Sequence, residues 1–258
     1  MQKTALALVL AASFAAPAFA QSAPPASEHS LTGNVGLFSS YRFRGIDQTF
    51  GKPALQGGFD YSHASGLYVG NWNSNVSSGA GYPDGNLEMD FYGGYKMSFG
   101  DFGLDVGGIY YYYPGTDLTG KKVKNGEVYV GGSWKFLTAK YYHAVTDYFN
   151  ADDTRGTGYL DIGATYDLGN GWGINGHVGR LDVKHSSDLD YTDWKVGVTK
   201  DINGWVLGAA YVGTNAKGDC GRGEIYCFAN SLNSVGNIGN KFKDAGRDIL
   251  VLSISKTF

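Results

Sequence analysis

An all-β chain, closed into a transmembrane antiparallel up-and-down β-barrel of about twelve strands, is the fold class predicted by three features of this sequence. The composition is the first. There are 40 Gly, 19 Tyr, 14 Phe and 5 Trp, and charged residues make up only 17%, against roughly a quarter in an ordinary soluble domain. Glycine is costly inside helices, so this mixture suits short strands joined by tight turns. The second feature is alternation. In LEMDFYGGYKMSF, Leu87, Met89, Phe91, Tyr95, Met97 and Phe99 fall on one face, and Glu88, Asp90, Tyr92, Lys96 and Ser98 on the other. The third is the rhythm of the breaks, which alternate between short and long along the chain.

The N-terminus is set aside first. MQKTALALVLAASFAAPAFA has a cationic start at Lys3, an apolar stretch and Ala18-Phe19-Ala20. It reads as a secretory signal peptide over residues 1–20. Residues 21–30, QSAPPASEHS, read as a short disordered leader, and residues 31–258 as the barrel. No later segment approaches the roughly 20 apolar residues of a membrane helix.

Scored for period two, the mature chain gives twelve candidate strands: 31–44, 54–63, 67–76, 87–99, 103–113, 127–135, 138–148, 158–168, 172–183, 191–202, 205–215 and 248–258. The third, fifth and seventh mix their faces. The sixth and seventh are separated by no good turn residue. Short breaks follow His63, Phe99, Leu168 and Ile202, with another near Phe136. Asn203-Gly204 is a two-residue hairpin signal. Between them lie long breaks: IDQTFGKP, SSGAGYPDGN, PGTDLTGKKVKNG, FNADDTRG, KHSSDLD and the run from Lys217 to Arg247. Short turns on one rim and long loops on the other are the layout of an outer-membrane barrel. A long first break places both termini on the short-turn, periplasmic side.

Alternation alone does not say which face is inside, since a soluble barrel has the same period with its apolar side inward. Two features favour the membrane. Tyr41, Phe43, Phe99, Phe136, Trp172, Trp205 and Phe258 stand near strand ends, as an aromatic girdle requires. The polar face carries charges of both signs in mid-strand, which a wet lumen tolerates. A barrel in lipid has no open edge, so DILVLSISKTF is expected to close it onto the first strand. Its final residue, Phe258, resembles the C-terminal assembly signal of outer-membrane proteins, with Lys256 standing where that signal usually has an apolar residue.

The block SSYRFRGIDQTFGKPALQGGFDYSHASGLYVGNWNSNV, with YLDIGATYDLGNGWGINGHVG, YTDWKVGVTKDINGW and the ending SISKTF, resembles the TorF-type porins of proteobacteria over essentially the whole mature chain. The resemblance implies an outer-membrane location in a Gram-negative bacterium and a channel role, with no defined substrate.

The expected function is therefore passive or weakly selective passage of small hydrophilic solutes. The polar parity supplies the pore-lining candidates: Arg42, Arg44, Asp60, Glu88, Asp90, Lys96, Asp105, Glu127, Lys135, Lys140, Asp161, His177, Asp193 and Lys195. Their signs nearly balance, so strong ion selectivity is not expected. Twelve strands lie between filled eight-stranded barrels and open sixteen-stranded porins, so a plugged barrel binding partners through its loops is the rival reading. The expected partners are outer-membrane lipid, the barrel-insertion machinery and the solute; the oligomeric state stays open.

An enzyme is not expected. No Ser motif accompanies His29, His63, His143, His177 or His185. GNGWGING has nucleotide-loop glycines but lies at a hairpin turn. DYFNADD lacks the Gly and Glu of a calcium loop. No cofactor, metal or nucleic-acid site is expected; the net charge is only −3. Cys220 and Cys227, in CGRGEIYC, are expected to pair in an oxidising compartment, contributing roughly 2–3 kcal/mol by loop closure.

Overall fold

The computed structural model describes residues 28–117, 120 and 122–258. The expected signal peptide and most of the expected leader lie outside the described residues. Twelve strands close into one barrel: β1 (His29–Phe38), β2 (Ala54–His63), β3 (Leu67–Asn75), β4 (Leu87–Phe99), β5 (Phe102–Tyr112), β6 (Lys124–Trp134), β7 (Leu137–Ala144), β8 (Gly158–Gly169), β9 (Trp172–Asp182), β10 (Tyr191–Ile202), β11 (Trp205–Thr214) and β12 (Ile249–Thr257). Each strand pairs antiparallel with its chain neighbours, and β12 returns to β1. No helix among the described residues is long and apolar enough to cross a membrane.

The final strand behaves as its sequence predicts. Ser253–Thr257 pair with Asn34–Phe38. Phe258 continues the ladder, exchanging backbone hydrogen bonds with Gly33 at 2.7 and 2.9 Å. Its ring lies over Gly33, where an added Cβ would stand 2.8 Å from it. A terminal aromatic is thus held from both its main chain and its side chain.

The apolar face points outward. Leu31, Phe59 and Val196 are 73%, 61% and 63% exposed, while Glu88, Asp90, Glu127 and Asp193 are at most 2% exposed inside the barrel. In water such a belt would be an aggregation surface; in lipid it is the required exterior. Phe99, Phe102, Trp134, Trp172, Trp205 and Phe258 ring the short-turn rim and are all exposed. Lys135, Lys200 and Lys256 lie over Trp134, Trp172 and Trp205 at 5.1, 5.0 and 5.1 Å. Their stems follow the girdle, and the Lys200 amine donates to Asn170 O at 2.6 Å.

The short turns use left-handed residues. Asn203 and Gly204 have φ of 55° and 82°, the type I′ geometry that their sequence favours. Between β6 and β7 the turn falls on Lys135-Phe136, with Lys135 at φ 53°, so a residue of no turn preference reverses the chain there.

The main departure from the sequence pattern is in the first strand. Period two continues to Arg44, yet β1 ends at Phe38. The next residues leave the sheet and form their own small hairpin, Arg42–Phe43 against Ile46–Asp47. Arg44 (φ 47°) and Gly45 (φ 79°) are its two central residues, and two consecutive positive φ values make a tight I′ reversal. Loop 1 (39–53) therefore folds inward. The seventh strand likewise stops at Ala144 rather than continuing to 148.

Candidate functional site: the lumen and its inward loop

Loop 1 divides the lumen. Toward the long-loop end, Tyr41 and Phe43 join Tyr82, Tyr111, Tyr113, Val212 and Val251 in a buried core. Toward the short-turn rim a cavity of about 610 Å³ remains. Its wall runs from Ser62, Gly66 and Gly100 at the rim up to Arg42–Gly45, which form its ceiling.

The ceiling is tied down by charge. Arg44 makes a fork-to-fork contact with Glu127, at 3.0 and 2.7 Å, and donates to Tyr148 Oη at 3.1 Å. Its guanidinium lies 4.2 Å from the Tyr159 ring centroid. Glu127 also accepts from Tyr111 at 3.2 Å and from Asn125 at 3.2 Å. Planar two-bond pairing fixes orientation as well as charge, and here it holds Arg44 in its left-handed conformation. Tyr41 donates to Glu88 at 3.0 Å.

Arg42 faces the other way, toward loop 6 (215–248). Its Nη1 donates to the carbonyls of Gly45, Ala245 and Arg247 at 3.3, 2.9 and 3.2 Å, and Asp47 stands 3.7 Å from Nη2. Burial pushes this guanidinium down to about 10, against the opposing pull of Asp47. Arg247 bonds Asp47 at 3.2 Å, and Asp47 N–H donates to Ala245 O at 2.9 Å. Loop 6 carries the Cys220–Cys227 disulfide and its own small hairpin, Cys227–Ala229 against Phe242–Asp244. Loop 2 (76–86) completes the clamp: Ser77 N–H donates to Gln48 O at 2.7 Å and Ser77 Oγ to Asn230 O at 3.2 Å.

Below the ceiling the wall forms a second network. Asp105 accepts from Tyr68 Oη at 2.6 Å and from Lys140 at 2.9 Å. Lys140 lies 3.7 Å from the Tyr129 ring centroid and Lys96 lies 4.4 Å from that of Tyr68. Asp60 accepts from Tyr92 Oη at 2.6 Å. Bulky phenols fit because the neighbouring luminal position is glycine: a Cβ on Gly94 would meet Tyr68 Oη at 2.7 Å. Across the barrel His177 lies 3.3 Å from Asp161 and 3.7 Å from Asp193, and Tyr159 donates to Asp193 at 3.0 Å.

The sequence-derived lumen set is thus spread over distinct places. Arg42 and Arg44 reach the interior from a loop rather than from β1. Arg44 meets Glu127, Lys140 meets Asp105, and His177 bridges Asp161 and Asp193. Lys195 borders the cavity beside His177 in the β9–β10 register. Glu88 and Asp90 are buried above the cavity, and one oxygen of each has no hydrogen-bond partner among the described residues. Lys135 stands in the rim turn at the cavity mouth. Tyr68, Tyr92, Tyr129 and Tyr159 were absent from that set although they share its parity. Asp47 and Arg247 carried no local signal, because their roles exist only once loops 1 and 6 meet.

No curated protein matches the sequence. Among the solved structures similar to this chain are two porins. The KdgM porin superposes with a TM-score of 0.51 at 8% identity, over 88% of this chain and 98% of that one. The NanC porin gives 0.50 at 10% identity, over 89% and 99%. At such identities the likeness is one of fold alone, a closed antiparallel β-barrel. A family model spanning residues 22–258 matches under the description "Bacterial protein of unknown function", not under the TorF name. By that match the chain belongs to the Gcw_chp family of bacterial proteins.

Proposed function

We infer that this protein is an outer-membrane porin-like channel for passive or weakly selective passage of small hydrophilic solutes, with loop 1 setting its constriction. The observation that carries this reading is the inverted barrel: apolar side chains outward, and a polar lumen with a cavity of about 610 Å³ reaching the short-turn rim. The reading takes the short turns and both termini as periplasmic, the long loops as extracellular and residues 1–20 as a removed signal peptide. It assigns barrel insertion to the machinery that reads the terminal Phe258. It keeps the likeness to TorF-type porins and assigns the chain no catalytic role.

A second reading is supported by loop 1 itself. The long-loop half of the lumen is packed by Tyr41, Phe43 and their neighbours, which suits a plugged barrel that works through its loops. Liposome swelling with neutral solutes of graded size separates the two. Swelling that declines with solute size supports the channel. No swelling, from a barrel proved folded by heat-modifiable gel mobility, refutes it and favours the plug.

A further inference from the structure

We propose that Glu28, His29 and His63 form a binding site for one divalent transition-metal ion of the zinc class, at the short-turn rim where β1 begins and β2 ends. One ligand atom from each residue lies within 4.8 Å of the other two. A tetrahedral zinc ion with bonds of about 2.0–2.1 Å needs its ligand atoms roughly 3.3 Å apart, so small side-chain rotations close the set.

The backbone brings these residues together. His29 and His63 are register partners in the β1–β2 ladder, and their ring centroids are 5.1 Å apart. Glu28 O accepts from Ala64 N–H at 2.8 Å, which fixes the residue before the strand. Glu28 Oε1 already lies 3.4 Å from His63 Nε2.

The outer contacts orient the imidazoles. His29 Nδ1 is 2.7 Å from Tyr61 Oη. His63 Nδ1 accepts from Ser65 N–H at 3.1 Å and lies 2.8 Å from Ser65 Oγ. With Nδ1 engaged on both rings, Nε2 is the ligating nitrogen, and metal-bound imidazoles commonly hold their second nitrogen in this way. Binding at His63 Nε2 moves that ring's proton to Nδ1, which gives up the bond it accepts from Ser65 N–H and donates to Ser65 Oγ instead. Two imidazoles and a carboxylate leave a fourth position for water or an incoming ligand. His63 also borders the cavity mouth, so a bound ion would place positive charge at the entrance and fasten the segment before β1 to the first turn.

The test is calorimetric titration of the folded, tag-free mature protein with zinc chloride, paired with the visible spectrum of its cobalt(II) complex. One equivalent binding at micromolar affinity with tetrahedral cobalt bands is expected. His29→Ala and His63→Ala should each weaken binding by at least about tenfold, and Tyr61→Phe by less, since it acts only by positioning His29. Heat-modifiable mobility should stay unchanged in all three variants. No binding at millimolar zinc, or equal binding by the His29→Ala/His63→Ala double variant, would overturn the proposal.

Discussion

Replacing Arg44 with Ala should release loop 1 from the lumen wall. Arg44 is 6% exposed and Glu127 2% exposed, so the pair is desolvated on both sides. The substitution removes both bonds to Glu127, the bond to Tyr148 and the stacking on Tyr159. It leaves a buried carboxylate whose remaining donors among the described residues are Tyr111 and Asn125. Removing one partner of a buried pair costs roughly 3–5 kcal/mol. At about 1.4 kcal/mol per factor of ten, the inward-to-released ratio of loop 1 should fall by roughly a hundredfold or more. The left-handed φ of residue 44 adds to the effect, because the contacts that over-determine it are gone. The barrel itself should stand, since its ladder does not pass through loop 1. The assay is single-channel recording of the refolded variant beside the parent. Larger or more frequently fluctuating conductance is expected, with Arg44→Lys between the two because it keeps the charge and loses the fork. Identical conductance and gating in a folded Arg44→Ala barrel would refute loop 1 as a constriction held by this pair.

Other outcomes follow from the same geometry. Gly94→Ala should lower stability by about 1–3 kcal/mol through overpacking, because the new Cβ meets Tyr68 Oη and Val106 O; an unchanged urea midpoint would contradict the close approach. Asp105→Asn removes one of the carboxylates that line the cavity, with Asp101 and Asp161, and leaves Lys140 without its hydrogen-bonded anionic partner. The reversal potential in a salt gradient should then move toward anion preference, and no movement would place this wall outside the ion path. Cys220→Ser/Cys227→Ser should loosen loop 6 by roughly the 2–3 kcal/mol of a short closed loop. Faster proteolysis within 215–248, with heat-modifiable mobility intact, is expected; equal cleavage rates would show that the disulfide does not order the loop.

Where the sequence was legible, the reason is period two. Leu87–Phe99 could be assigned to faces residue by residue because lipid and lumen impose opposite chemistry on alternate positions. The same rule misled at the first strand. Tyr41 and Phe43 kept the apolar parity and Arg42 and Arg44 the polar one, so the pattern ran on past Phe38 without a visible stop. The break is conformational, at Arg44-Gly45, and Gly45 is its only local sign. Lys135 kept the polar parity too, yet it occupies a turn. The luminal tyrosines were readable in principle, since Tyr129 and Tyr159 alternate with Val128 and Leu160. The clamp of loop 6 on loop 1 was not readable: Arg42 and Ala245 meet across some two hundred residues, and no local pattern encodes that. The rim cluster was hidden for the same reason, with Glu28 and His29 in a segment read as leader and His63 at the end of another strand.

Single-channel conductance of the refolded mature chain in a planar bilayer tests the central claim most directly. Discrete steps that scale with salt concentration are the expected result, small in the parent because loop 1 narrows the lumen. Silence from both the parent and the Arg44→Ala barrel, each shown to be folded, would contradict a channel.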